Sequence, residues 1–363
     1  MARVAFVTTS FPAFEGDAAG HFVLAEVRDR AASGDDVLVL APGVAPGTGE
    51  VRVGSARVEW LGASDAFGFP GALPRLREKP SRLVGATAFA VRAQRALARF
   101  RPDVTVAHFI VPSAWPIASF GCGVLEVVAH GSDVRLLARL PRPVRVAIVR
   151  SLLRRGATFR FVSNELAERL AHATTRELLT RSRVAPSPID LYAAPDRRTA
   201  RAALDIDERE LVCVVVGRLI AEKRVDASIE LAFGLSQFPH ALLENEGAYR
   251  VVVVGGGPLA GELRSRYPSV EFVGQLPRGA ALAWIAGADV LVSASRDEGA
   301  PTAIREARAL GVPVVAVPAG DLREWAARDP GITLVEARAT RVSDDRAPFL
   351  ARRARRKGRT RPG

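Results

Sequence analysis

The stretch GRLIAEK, residues 217–223, places two cations just beyond the apolar run LVCVVV. Arg218 follows just after that run and Lys223 comes five residues later, while Gly217 allows close backbone approach. Two positive side chains converging above one strand end suit a diphosphate. The chain has only three lysines, Lys79, Lys223 and Lys357. A compact ammonium on a flexible stem fits a confined phosphate pocket better than a planar guanidinium, which gives the lysine a reason to be here. The alternative is a surface pair of Lys223 with Glu222 or Asp226.

A second segment, SRDEGAPTAIREARALG, carries two carboxylates, Glu298 and Glu306, eight residues apart. If both lay on one helix they would be separated by about 12 Å. That exceeds the spacing of a hydrolytic acid and base, about 5 to 10 Å. The pair can instead hold two ends of an elongated ligand, with backbone amides near Thr302 facing a phosphate between them. A loop carboxylate beside a solvated helical glutamate is the other reading. VVAHGSDV puts His130 and Asp133 at a strand end beside Gly131, where a capping or core histidine is equally open. Ser10, His130 and Asp133 could suggest a hydrolytic triad, but no G-x-S-x-G elbow accompanies them. VVVVGGGPLAGEL can be laid on G-x-G-x-x-A through Gly255, Gly257 and Ala260. The acidic residue that should follow at the next strand's end is missing, which leaves a tight turn or a close approach of backbone to a nucleotide or to the other lobe.

The surrounding pattern predicts what must position these residues. RVAFVTT, DVLVLAP, DVTVAHF and LEVVAHG read as strands, with helices in AGHFVLAEVRDRAASG and VGATAFAVRAQRALARF. LVCVVVGR, YRVVVVGGG, VEFVG, DVLVSAS and VPVVAVP repeat the plan in the second half. Strands alternating with helices predict parallel sheets, and near-continuous apolar strands predict sheets covered on both faces. At 363 residues two domains are expected, with a linker near residues 186–200. The predicted fold is α/β, two Rossmann-like doubly wound lobes facing a cleft. Residues 1–190 form the first lobe, 191–345 the second, and 346–363 a basic, disordered tail. Ligands of such sheets sit off the carboxyl ends of strands, where Gly16, Asp17, His108, His130, Arg218, Lys223, Glu298 and Glu306 fall.

The chain is 48% hydrophobic and 25% charged, an ordinary globular balance, but its net charge is +12. Nucleic acid, an acidic membrane or phosphorylated small molecules could each explain the charge. From Arg135 to Arg160 there is no acidic residue, and Val146, Ile148, Val149, Leu152 and Leu153 recur among arginines at near-helical spacing. Such a face suits anionic lipid, or caps the core beneath a solvated helix. Base-stacking aromatics are lacking there apart from Phe159, which argues against nucleic acid. No stretch has the length of a signal core or membrane span, so a cytoplasmic protein is expected. Cys122 and Cys213 are expected to be buried thiols, and no cluster has metal-ligand spacing.

In order and spacing, G-R-L-x-x-E-K, V-V-V-G-G-G-P, F-V-G-Q-L and E-G-A-P-T-A-I-R-E followed by A-x-x-L-G-V-P-V-V-A resemble the nucleotide-sugar domain of retaining GT-B glycosyltransferases of family 4. SFPAFEGDAAGHFV, DVTVAHFIVPS, VVAHGSDV and RFVSNELAERL extend the resemblance to the first half, over about residues 1–335. It implies that Arg218 and Lys223 bind the donor diphosphate and stabilise the leaving group. It further implies that Glu298 holds hydroxyls of the transferred sugar, Glu306 the ribose and Leu276 the base through its backbone, with Gly217, Gly257, Ala300 and Thr302 completing the donor side. His130 would sit beside the sugar, and Gly16, Asp17, His108 and Asp133 would lie on the acceptor side. The family works without a catalytic metal or cofactor, taking the nucleotide-diphosphate sugar as co-substrate.

Three places depart from the family pattern. Gly16-Asp17-Ala18-Ala19-Gly20 spreads out a Gly-Gly loop, DLREWAARDPGITLVEARAT lacks the E-x-V-x-x-G-x-x-G region, and DRAPFLARRARRK replaces a long last helix. The expected function is therefore retaining hexosyl transfer from a nucleotide sugar to a glycan or lipid acceptor. The acceptor is expected to be lipid-linked or anionic, met at the inner membrane face through the arginine-rich run. A nucleotide-sugar epimerase on the same plan, or a basic membrane- or nucleic-acid-binding protein without catalysis, are the alternatives.

Overall fold

The computed structural model describes residues 1–14, 16–17, 19–43, 53–62, 65–67, 72–235 and 249–336, apart from the side chains of residues 72–74. The expected tail at 346–363 and the lobe end at 345 lie outside the described residues. The chain divides into two compact units, Met1–Ala193 with Glu298–Thr302, and Ala194–Asp297 with Ala303–Gly363.

The first unit is built on seven parallel strands: β1 (Arg3–Val7), β2 (Asp36–Ala41), β3 (Arg57–Trp60), β4 (Val104–His108), β5 (Val124–Ala129), β6 (Thr158–Phe161) and β7 (Ser182–Val184). Their order is β3-β2-β1-β4-β5-β6-β7. Successive β1 residues face opposite cores. Ala5 and Val7 join Leu97, Ile110 and Phe161 on one face, while Val4 and Phe6 meet Val23, Leu24 and Val27 of the helix His21–Ala32 on the other. Each such side chain contributes about 1.5–3 kcal/mol when fully buried, which is why strands covered on both faces read as unbroken apolar runs.

The second unit carries six parallel strands, β8 (Val212–Val216), β9 (Arg250–Val254), β10 (Glu271–Gly274), β11 (Val290–Ser293), β12 (Val314–Ala316) and β13 (Ile332–Leu334), in the order β10-β9-β8-β11-β12-β13. Cys213, Val215, Val251, Val253 and Val290 line one core, and the alternating Val212, Val214, Val252 and Leu291 are buried as well. The expected doubly wound α/β architecture is therefore present in both units.

In each sheet the strand order reverses once, between β1 and β4 and between β8 and β11, where Val7 pairs with Ala107 and Val214 with Leu291. Crossovers leave such a point on opposite faces of the sheet, opening a crevice above the carboxyl ends. Gly16, Asp17, Arg218, Lys223 and Glu298 lie in segments that leave β1, β8 and β11 and His108 ends β4, while His130 and Asp133 follow β5, Gly257 follows β9 and Leu276 follows β10.

Strands β3, β6, β7 and β13 are additional to the predicted ones. They are three or four residues long, and β3, β6 and β7 each carry arginine (RVEW, TFRF, SRV), so their apolar runs are broken. The arginine-rich run also differs from a single basic face. It comprises the helices Ser132–Arg139 and Arg142–Arg154 followed by β6. Arg145 donates to the carbonyls of Ala138, Leu140 and Ala173, Arg155 donates to those of Gly121 and Gly123, and Arg160 is buried. Arg139, Arg142, Arg150 and Arg154 remain exposed. Cys213 is buried, and desolvation pushes its thiol well above the ordinary range. Cys122, expected to be buried, is exposed, because it lies in the turn before β5 rather than within the strand.

Candidate active site

In the second unit the loop leaving β8 is fastened to the loop leaving β9 through the backbone. Gly217 N–H donates to Val254 O at 3.0 Å, Leu219 N–H to Gly256 O at 2.9 Å, and Leu259 N–H to Leu219 O at 3.2 Å. Glycine is required for this approach. A Cβ on Gly255, whose φ is +145°, would stand 1.9 Å from Gly217 O, and one on Gly257 would stand 2.4 Å from Leu219 O. The glycines expected to meet a nucleotide or the other lobe thus meet the neighbouring loop of their own unit. Arg218 projects from this double loop and is exposed. Lys223 is half-buried and ends a short 3-10 turn, Ala221–Lys223, ahead of the helix Val225–Phe233.

Beyond β11, Glu298 and Ala300 lie in a loop and are half-buried, and the helix Thr302–Ala309 begins at Thr302. The spacing imagined for Glu298 and Glu306 on one helix therefore does not apply. Glu306 lies in the second turn of that helix and is 3% exposed; its Oε1 is 2.5 Å from an Arg278 guanidinium nitrogen. Arg278 opens the helix Arg278–Gly287 two residues after Leu276, so this ion pair holds the Leu276 segment against the Glu306 helix. Sequence reading missed Arg278. Its signal was an arginine at the start of a helix whose remaining residues, GAALAWIAG, are uncharged.

In the first unit His108 ends β4 and His130 follows β5. His108 Nδ1 and His130 Nε2 are 2.9 Å apart, with the rings stacked at 14°. His108 is completely buried, whereas His130 is half-buried. Phe6 stacks on His108, and Phe22 and Phe109 lie against His130 at centroid distances of 4.6 and 4.9 Å. Desolvation, then the nearby Arg160 charge, holds His108 well below the usual histidine range. His130 is held down by desolvation first, then by His108 and Arg160. Both rings are therefore neutral at neutral pH.

Asp133 and Asp17 shape backbone. Asp133, buried, accepts from the amides of Ile110, His130 and Gly131 at 2.9, 3.0 and 3.0 Å, joining the loops after β4 and β5. Burial nevertheless raises its pKa, with the amides acting in opposition. Asp17 accepts from Ala13 and Ala19, closing the first loop around Gly16, whose φ is +87°. Behind the histidines, Glu26 receives two hydrogen bonds from Arg160, at 2.5 and 2.7 Å. This buried pair was also missed, although Glu26 sits three residues from Val23 on the apolar side of its helix.

Known proteins resemble this chain in sequence and in fold. Residues 210–344 match the family model of glycosyl transferases group 1. TuaC of Bacillus subtilis (strain 168), assigned as a teichuronic acid biosynthesis glycosyltransferase, is 28% identical over 251 residues, 67% of this chain and 59% of TuaC. The chain thus spans less than two thirds of that relative's length. Sucrose-phosphate synthase of Thermosynechococcus elongatus superposes with a TM-score of 0.70 at 18% identity, covering 98% of this chain and 89% of its own. Anabaena HepE, solved with UDP and glucose, gives 0.62 at 17% identity over 93% of this chain and 88% of its own. WaaG, a glycosyltransferase involved in lipopolysaccharide biosynthesis, gives 0.60 at 19% over 92% and 86%. The two units carry the GT-B fold, and residues 210–344 resemble glycosyl transferases group 1.

Proposed function

We propose that this GT-B chain transfers a hexosyl unit from a nucleotide-diphosphate sugar to an acceptor hydroxyl with retention of configuration. The observation that carries the reading is the glycine-locked double loop at the β8 switch point, which holds Arg218 exposed and is followed at once by Lys223. In the reaction the bond from the sugar's anomeric carbon to the diphosphate breaks, the acceptor oxygen bonds to that carbon, and its proton passes to the departing diphosphate. Negative charge therefore grows on the phosphate oxygens, where preorganised cations act most strongly. Arg218 and Lys223 take that role.

The remaining assignments follow the order of groups along the donor. Backbone at Leu276 meets the base, and Glu306 meets the ribose. Amides near Thr302 and Ala300 face phosphate, Glu298 holds sugar hydroxyls, and His130 stands beside the sugar. Gly16 and Asp17 shape the acceptor-side loop, which Asp133 and His108 support from within the first unit. Neither a metal nor a cofactor takes part, because the two cations supply the charge that a metal would.

The acceptor is a glycan or lipid-linked glycan of the cell envelope, bound by a protein that acts in the cytoplasm at the membrane face. The exposed Arg139, Arg142, Arg150 and Arg154 support the membrane contact, at about 1 kcal/mol per basic residue near an anionic surface. Among the described residues no helix is long and apolar enough to cross a membrane. A thermal-shift screen of nucleoside diphosphates and nucleotide sugars tests the reading. A rise in melting temperature with one nucleotide series supports it, and no response to any member refutes it. NMR of the product then reads the anomeric configuration.

A further inference from the structure

Behind the histidine pair runs a chain of charged groups, exposed at Arg183 and buried at Arg160 and Glu26, that no substrate contact explains. Arg183 reaches Glu126 at 2.6 Å, Glu126 lies 3.1 Å from Arg160 Nε, and Arg160 donates twice to Glu26. Glu26 Oε2 in turn stands 3.7 Å from His108 Nε2. Within this chain Arg160 is the guanidinium whose charge reaches the imidazoles, and it disfavours their protonated forms. The other groups against the two rings are the phenyl rings of Phe6, Phe22 and Phe109. Between His108 Nδ1 and His130 Nε2 there is room for one proton, and the carboxylate decides who carries it. With the His108 proton on Nε2, that N–H lies near the Glu26 carboxylate, beyond hydrogen-bond distance but electrostatically favoured, and Nδ1 accepts. With the proton on Nδ1, a lone pair on Nε2 faces a carboxylate oxygen, which is repulsive.

We propose that Glu26, held by Arg160, and His108 act as positioning residues that lock His130 in its Nε2–H tautomer and leave His130 Nδ1 as a hydrogen-bond acceptor for a ligand hydroxyl. Among the described residues Nδ1 of His130 has no hydrogen-bond partner, and it is not among the buried polar atoms. The backbone holds the arrangement in place. Phe109, between His108 and Ile110, adopts φ 76° and ψ 128°, a conformation costly for a residue with a Cβ. It is secured by its own amide to Val128 O at 2.9 Å and by the Ile110 amide to Asp133. A neutral acceptor nitrogen beside the sugar suits a hydroxyl-rich ligand. That consequence rests on the glycosyl-transfer reading, whereas the tautomer itself does not.

Long-range proton–nitrogen correlation spectra of the full chain, labelled with ¹⁵N-histidine, test the proposal without requiring activity. The five histidines are separated by comparison with His130→Gln. The expected wild-type result is His130 protonated at Nε2 only. In Glu26→Gln, whose amide can present either oxygen or N–H to His108, both tautomers of His130 should appear. With a donor sugar identified, the same variant should lower kcat by roughly tenfold, one hydrogen bond's worth, with KM for the donor unchanged. A wild-type His130 protonated at Nδ1 overturns the proposal even if the variant does not fold, and so does a folded Glu26→Gln with unchanged spectrum and kcat. Absence of all transfer activity would refute the glycosyl-transfer reading and leave the spectral result standing.

Discussion

Arg278 and Glu306 form an ion pair at 2.5 Å in which the side chains are 11% and 3% exposed. Glu306 is the residue proposed to bind the ribose, so one carboxylate serves both the joint between two helices and the ligand. Removing one member of a buried pair costs about 3–5 kcal/mol because the other charge stays buried, while replacing both with apolar residues is often neutral. Glu306→Ala should therefore lower the melting temperature of the second unit and weaken nucleotide binding. The double variant Arg278→Met with Glu306→Met should recover stability without recovering binding. Thermal denaturation and nucleotide titration separate the two effects; recovery of both would remove Glu306 from the binding site.

The glycines of the double loop give a sharper contrast. Gly257→Ala would drive a methyl group into Leu219 O, and Gly255→Ala would collide with Gly217 O. Each should displace the segment bearing Arg218 and abolish nucleotide binding. Gly261→Ala, at an open helical position with nothing within 4 Å of the new methyl group, should instead stabilise by about 0.4–1 kcal/mol and leave binding intact. Unaltered nucleotide affinity in Gly257→Ala would show that the loop contact does not position the site.

Stability should depend on pH through the histidine pair. Both pKa values lie well below 6.5 in the folded protein, so as pH falls through 6.5 the unfolded chain takes up protons that the folded chain does not. The pair's contribution is present above the unfolded pKa and declines below it, by up to about 1.4 kcal/mol per pH unit for each ring. Asp133, whose folded pKa is raised, acts in the opposite sense between 3.8 and its folded value. Denaturant titrations between pH 7.5 and 5.5 should show declining stability of the first unit, with a shallower slope in His108→Asn. Equal slopes in the two proteins would mean that the ring is not held neutral.

Much of this arrangement was legible in the sequence because strands buried on both faces announce themselves as apolar runs. The residues following Val7, His108, Val216 and Ser293 can thus be placed at carboxyl ends from the sequence alone. The pairings were not legible, because they join residues far apart in the chain. Arg160 interrupts β6 with a charge whose partner Glu26 lies 134 positions earlier. Glu306 could be read as a ligand carboxylate or as a solvated helical glutamate but not as half of an ion pair, because Arg278, its partner, belongs to another helix. For the glycines 255–257, the sequence allowed both a turn and a close approach; only the position of the 217–219 backbone distinguishes them.

Removal of divalent cations provides an independent check on the division of labour between protein and ligand. With Arg218 and Lys223 supplying positive charge at the diphosphate, turnover should be unchanged in excess EDTA. Loss of activity with chelator and its restoration by Mg²⁺ or Mn²⁺ would assign that charge to a metal instead.

The most direct measurement is release of nucleoside diphosphate from the nucleotide sugar that stabilises the protein, compared between wild type and Lys223→Ala with the acceptor saturating. The account predicts a fall in kcat of roughly 10²- to 10³-fold, the magnitude of losing one group aimed at developing charge. Lys223→Arg should restore it only in part, since a planar fork does not replace a point charge. Wild-type turnover in a folded Lys223→Ala protein would contradict the claim that the departing diphosphate is stabilised from the loop after β8.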